Sequence, residues 1–166
     1  LNTRGEDYLM SGKIPNDILV ITCGVDVQGG LNSRLELEIV GHGLEDETWS
    51  LDYIVLPGDP ERQAVWDNLD QELARRFVRD DGVILPISAT FVDSGYLPTE
   101  VYRYTAPRRK NNVFATKGVV TGTICNAGTW QGEKKNKTRA ILRTCNVNDA
   151  KTIVFHRLKI QEPGQG

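Results

Sequence analysis

Long apolar runs are missing from this chain, and no charged-then-apolar segment opens it. Neither a membrane span nor a signal segment is therefore expected in these residues. Sulfur and imidazole are scarce. Cys23, Cys125 and Cys145 are widely spaced with no C-x-x-C pair, and His42 and His156 lie far apart. That spacing argues against a zinc site and against disulfides. Cys23, inside an apolar run, reads as a small buried hydrophobe. No glycine is followed five residues later by Gly-Lys-Ser/Thr, which excludes a P-loop ATPase. No internal repeat is visible. What remains is an ordinary globular composition, 39% hydrophobic and 25% charged over 166 residues, enough for one domain with a normal core. The start at Leu1 and the end at Gly164-Gln165-Gly166 are expected of a piece excised from something longer.

The net charge of -2 conceals a division along the chain. Residues 1–102 hold 7 Lys and Arg against 19 Asp and Glu, a net -12. Residues 103–166 hold 13 against 3, a net +10. A basic half of this kind points to a polyanionic partner, or else the two halves neutralise each other in the fold.

Periodicity outlines the elements. Residues 1–16 are polar and irregular, and read as a linker or arm; 17–160 read as the domain and 161–166 as a flexible tail. A first strand covers 17–25. From Arg34 to Val40 the alternation is clean, with Leu35, Leu37 and Ile39 on one face and Arg34, Glu36 and Glu38 on the other. A third strand covers 47–56. Asp59-Pro60 suits a helix start, and Val65, Trp66, Leu69, Leu73 and Phe77 keep helical spacing to about Val78. Residues 87–93 are apolar with little alternation, as in a buried parallel strand. A helix near Pro98, a short strand over 112–116, a mobile loop or hairpin over 121–138 and a strand over 139–145 follow. The last helix is expected over 149–158, with Ile153, Val154 and Leu158 buried. Trp49 and Trp66 suit the core, and Trp130 sits in the loop. Three antiparallel strands followed by parallel strands with crossover helices make a ribonuclease-H-like α/β mixed sheet.

Asp26, Asp93 and Asp149 each sit just past an apolar run. A carboxylate at the end of a buried strand is costly unless something positive meets it. In this topology the first strand is central and the strand of Asp93 lies beside it. Asp26 and Asp93 then end at one edge, with Asp149 above them at a helix N-terminus, where the dipole favours an anion. Carboxylates without a nearby His or Cys select a hard cation, Mg²⁺ or Mn²⁺. Two such ions roughly 4 Å apart would serve phosphodiester cleavage. Each aspartate also has a plain structural reading: Asp26 as a turn residue, Asp93 as an Asx cap of Ser94-Gly95, and Asp149 as an N-cap. Their joint placement favours the site.

Several ordered segments carry a resemblance. They are Gly24-Val25-Asp26-Val27-Gln28 with Arg34-Leu35-Glu36, Gly58-Asp59-Pro60 with Val65-Trp66 and Leu69, and Val92-Asp93-Ser94-Gly95 with Val101-Tyr102. Ala115-Thr116-Lys117-Gly118 and Asn146-Val147-Asn148-Asp149-Ala150-Lys151 complete the set. Together they resemble the nuclease domain of lambda-type phage terminase large subunits over about residues 17–160. Tyr96 departs from the pattern, where a small residue often follows Ser-Gly, and so does Cys145-Asn146 before the last acidic motif. The resemblance implies a ribonuclease-H-like, metal-dependent endonuclease that cuts concatemeric double-stranded DNA during packaging in the bacterial cytoplasm. It places the catalytic, metal-holding carboxylates on Asp26, Asp93 and Asp149. It implies an ATPase motor in the same full-length chain, with the small terminase subunit and the portal as partners.

The basic residues are candidate phosphate contacts: Arg108, Arg109 and Lys110, then Lys134, Lys135 and Lys137, with Lys117 and Lys151 nearer the acidic group. A solvated charged face is their plain alternative. Glu36 and Glu38 read as solvated surface, with Glu38 also placed to join the metal. Other ribonuclease-H-like nucleases (a resolvase, a transposase core, a ribonuclease H) and a non-catalytic DNA-binding module are the rival readings.

Overall fold

The computed structural model describes residues 12–120, 130–135 (as backbone) and 140–160. Among the described residues, eight strands and three α-helices run in the order β1 (Val20–Gln28), β2 (Arg34–His42), β3 (Thr48–Pro57), α1 (Gln63–Leu73), β4 (Arg76–Val78), β5 (Ile84–Asp93), α2 (Pro98–Arg108), β6 (Val113–Val119), β7 (Trp130–Lys135), β8 (Ile141–Asn146) and α3 (Val147–Arg157). The sheet order is β3-β2-β1-β5-β6-β8-β7, and β4 pairs with β5 off that path. β1–β3 form an antiparallel meander. β1, β5, β6 and β8 are parallel, and β7 closes the edge antiparallel to β8. The ribonuclease-H-like mixed sheet expected from the element order is therefore present.

Alternation gives the sheet two unlike faces. Ile21, Cys23, Val25 and Val27 of β1 and Leu35, Leu37 and Ile39 of β2 point into the core. There they meet Val65, Trp66 and Leu69 of α1 and Val101 and Tyr104 of α2. Trp66 and Tyr104 stack with their centroids 4.7 Å apart, and the Trp66 indole donates to the Pro60 carbonyl at 2.8 Å. Trp49 is buried too. The opposite face presents Thr22, Asp26, Glu36, Glu38 and Tyr53 and carries little packing. Ile14, inside the segment read as an arm, is buried and bridges to Arg79.

Four expectations change. β1 continues to Gln28, so Asp26 lies within the strand, in register with Glu36, rather than past its end. The helix expected from 59 to 78 is shorter. It starts at Gln63, while Asp59 accepts from the Glu61 amide at 2.9 Å in a preceding turn. Its far end gives way to β4, where Phe77 is buried by pairing with β5; Asp80-Asp81-Gly82 turns that hairpin, with Gly82 at φ 86°. Asn146, not Asp149, caps α3: its side chain accepts from the Asn148 and Asp149 amides at 3.0 and 3.4 Å. Finally, Ile153, Val154 and Leu158 are exposed. α3 leaves β8 beside Gly118 and reaches the β2–β3 turn, where Arg157 meets Asp46 at 3.5 Å. It thus passes over the face that carries the carboxylates, and Ile153, Val154 and Leu158 remain outside the core. Of the 121–138 segment, 130–135 is strand β7; Cys125, Lys137 and the remainder of the loop lie outside the described residues.

Candidate metal and nucleic-acid site

The carboxylates gather on the open face of the sheet because the strand register puts them there. Asp26 of β1 pairs directly with Glu36 of β2, and Gly24 pairs with Glu38. In the parallel ladder Val25 pairs with Val92, so Asp26 and Asp93 are the next residues of neighbouring strands, about 5 Å apart in backbone spacing. Asp93 in turn pairs with Thr116, and Thr116 with Arg143. One row thus runs Glu36, Asp26, Asp93, Thr116, Arg143 across five strands. A cavity of about 540 Å³ is lined by Asp26, Glu36, Glu38, Tyr53, Phe91, Asp93, Thr116 and Cys145, among others.

Each acid has a distinct setting. Gln28 donates its side-chain amide to Asp26. Asp93 accepts from the Gly95 amide at 3.1 Å. The following Ser94 is buried and gives both its amide and its hydroxyl to the Thr116 carbonyl, at 2.8 and 2.7 Å, which fixes the end of β5 against β6. Glu36 accepts from the Tyr53 hydroxyl and from Arg34 Nε, both at 2.6 Å. Those hydrogen bonds, Tyr53 first, hold its carboxyl below the ordinary value. Glu38 accepts from the Ser50 hydroxyl.

Asp149 stands slightly apart. It lies in the first turn of α3 and is not among the residues lining the cavity. Its neighbour Cys145 does line it. Burial, and then the Asp149 charge, push the Cys145 thiol up. Among the described residues no three His, Cys, Asp or Glu side chains are gathered as closely as the ligands of one ion. The donors that converge are carboxylates and a hydroxyl, the set a hard divalent cation takes, with water completing its shell.

The basic candidates divide by position. Arg108 is engaged: its guanidinium forks onto Asp70 at 2.8 and 2.5 Å and lies 4.0 Å over the Tyr104 ring. It stands at the far end of α2 from Asp93, about 16 Å along the helix, with Arg109 and Lys110 exposed just beyond it. Lys117 is exposed between Thr116 and Gly118, and alternation sends it to the face opposite Thr116. Lys151 is exposed on α3, two residues past Asp149. Lys134 and Lys135 lie on edge strand β7, and Lys137 is outside the described residues. His42 shares a 2.7 Å hydrogen bond with Thr22, and burial and Arg157 lower its pKa, which fits a structural role.

Glu36 and Tyr53 are the site residues the sequence reading missed. The signal available was the polar side of the β2 alternation; the pairing of Glu36 with Asp26 depends on register.

The family model described as the endonuclease domain of terminase large subunit gpA matches residues 1–166. The large terminase subunit of Escherichia phage lambda is 25% identical over 163 residues, 97% of this chain and 24% of that protein. The large terminase subunit of Enterobacteria phage P21 is 22% identical over 147 residues, 88% of this chain and 22% of that protein. The chain thus spans about a quarter of the length of these curated relatives. No solved structure matches it. With a ribonuclease-H-like sheet and a family match over its whole length, the chain belongs to the endonuclease domains of gpA-type terminase large subunits.

Proposed function

We propose that this domain cleaves double-stranded DNA by metal-dependent phosphodiester hydrolysis, cutting concatemeric phage DNA for packaging. The observation that carries this reading is the adjacency of Asp26 and Asp93 on neighbouring parallel strands, facing one open cavity. Two carboxylates so placed repel each other until a cation lies between them. A divalent pair bound there would supply charge for the scissile phosphate and a more acidic attacking water.

The chain's own residues do the rest. Asp26, which accepts from Gln28, and Asp93, oriented by the Gly95 amide, would hold the ions. Asp149, in the first turn of α3, would supply the third carboxylate. Glu36 and Glu38 add negative charge to the cavity wall, with Glu36 kept ionised by Tyr53 and Arg34. Such an acidic floor repels DNA, so the phosphate backbone needs attraction from elsewhere. The basic residues of the C-terminal half, Lys134, Lys135, Lys137 and Lys151 in particular, supply it. The rest of the full-length subunit contributes the ATPase motor, and the small terminase subunit and the portal select the cut in the host cytoplasm. Among the described residues no helix is long and apolar enough to cross a membrane.

Nicking of supercoiled plasmid tests the reading. We expect cleavage with Mn²⁺ or Mg²⁺, none with EDTA, and none with Asp26→Asn or Asp93→Asn, each of which keeps a wild-type circular-dichroism spectrum. Metal-independent cleavage, or wild-type cleavage by either variant, refutes it.

A further inference from the structure

Tyr96 is neither a lining residue of the cavity nor part of the core. It follows Asp93-Ser94-Gly95 and leaves 46% of its surface exposed. Its ring rests on Gly29, the residue just after β1. A methyl group on Gly29 would collide with Cζ, Cε1 and Oη of that ring. The Gly29 backbone, at φ -114° and ψ -173°, is extended and open to any residue. What the position requires is room for Tyr96, not conformational freedom. Leu97, next in the chain, takes the left-handed conformation at φ 48° and ψ 54°, an uncommon state for a bulky residue.

This contact joins the turns that follow β1 and β5, the strands of the two site aspartates. The β1–β5 ladder pairs residues as far as Val25 and Val92, and Asp26 and Asp93 lie one step beyond. Asp93 is hydrogen-bonded into its turn by the Gly95 amide, and Asp26, inside β1, by Gln28 at the last position of that strand. Gln28 precedes Gly29, and Gly95 precedes Tyr96. The path between the carboxylates therefore runs Asp26, Gln28, Gly29, Tyr96, Gly95, Asp93, and the Tyr96–Gly29 contact is its link across the two turns.

We infer that Tyr96, seated on Gly29, is a positioning residue that sets the separation of Asp26 and Asp93 and so the affinity of the site for divalent cations. This rests on the metal-site reading above. The test is Mn²⁺ calorimetry on the 166-residue chain, beside DNA binding in EDTA. Tyr96→Ala removes the ring, and Gly29→Ala expels it. Each is expected to weaken Mn²⁺ binding by roughly 10- to 100-fold, as loss of supporting partners does at metal sites. DNA affinity in EDTA stays unchanged, and Tyr96→Phe stays near wild type. Because both changes break one contact, the double variant is expected to bind no worse than Tyr96→Ala alone.

Wild-type Mn²⁺ affinity in Tyr96→Ala overturns the inference, as does additivity of the two losses. Loss of DNA affinity in EDTA with Mn²⁺ binding intact also overturns it, and makes Tyr96 a base-stacking platform instead. If the wild-type chain itself binds no Mn²⁺, the metal-site reading fails and takes this inference with it. A failure confined to the variants leaves that reading standing.

Discussion

Glu36 shows how a single residue acquires a role from its neighbours. Its register partner is Asp26, its donors are Tyr53 and Arg34, and its carboxyl is held below the ordinary range. Its negative charge would add to the field felt by a cation in the cavity. Glu36→Gln is expected to lower Mn²⁺ affinity less than Asp26→Asn does, because Glu36 already has a cationic partner in Arg34. Calorimetry on the two variants ranks them; an equal or larger loss for Glu36→Gln would make it a direct ligand. Asp70 carries a separate, structural prediction. Burial alone would raise its carboxyl, but the hydrogen bonds from Arg108 and Tyr104, with the Arg108 charge, outweigh that and lower it from 3.8. A depressed carboxyl stabilises the fold above its unfolded pKa, and that contribution is lost as the pH falls through its folded pKa. Asp70→Asn should cost about 1 kcal/mol near neutral pH, discounted for partial exposure of the pair. Its Tm should then fall less steeply than wild type on acidification below the ordinary carboxylate range.

At the scale of elements, the strands were more legible than the helices. β2 announces itself because Leu35, Leu37 and Ile39 alternate with charged residues, and the structure buries all three. β5 was legible as an apolar run because it lies between β1 and β6. β4 was not: Leu73 and Phe77 are four apart, which imitates a helix, and a three-residue strand exists only through its partner β5. α3 was misread for a related reason. Periodicity marks an apolar face but not whether anything covers it. Asp26 and Asp93 stood out by local pattern, whereas the company of Glu36 depends on pairing ten residues away. Substitution tests the contrast between helices. Leu69→Ala on α1, at 0% exposure, should cost about 2–5 kcal/mol. Phe155→Ser on α3, at 62% exposure, should stay within about 0.5 kcal/mol in denaturant unfolding. A large loss for Phe155→Ser would mean that α3 is packed in solution.

For the whole molecule, the division of charge along the chain and the two-faced sheet work together. The apolar face is closed by α1 and α2, and the opposite face, crossed by α3, keeps the open cavity that the proposed function assigns to cations and DNA. An acidic cavity and a basic C-terminal half then act on one ligand with opposite signs, and ionic strength separates them. The logarithm of affinity for duplex DNA in EDTA should fall linearly with the logarithm of salt concentration. Lys134→Ala and Lys135→Ala should each lower the slope by about 1 if the side chain meets a phosphate. An unchanged slope would place β7 away from the DNA.

The proposed function turns on one arrangement: Asp26 inside β1 and Asp93 at the end of β5 holding divalent cations between them. Anomalous diffraction from a manganese-soaked crystal tests it most directly. The account predicts a manganese peak between the two carboxylates, lost in Asp26→Asn. A peak elsewhere, or the two side chains turned apart with no ion between them, would contradict it.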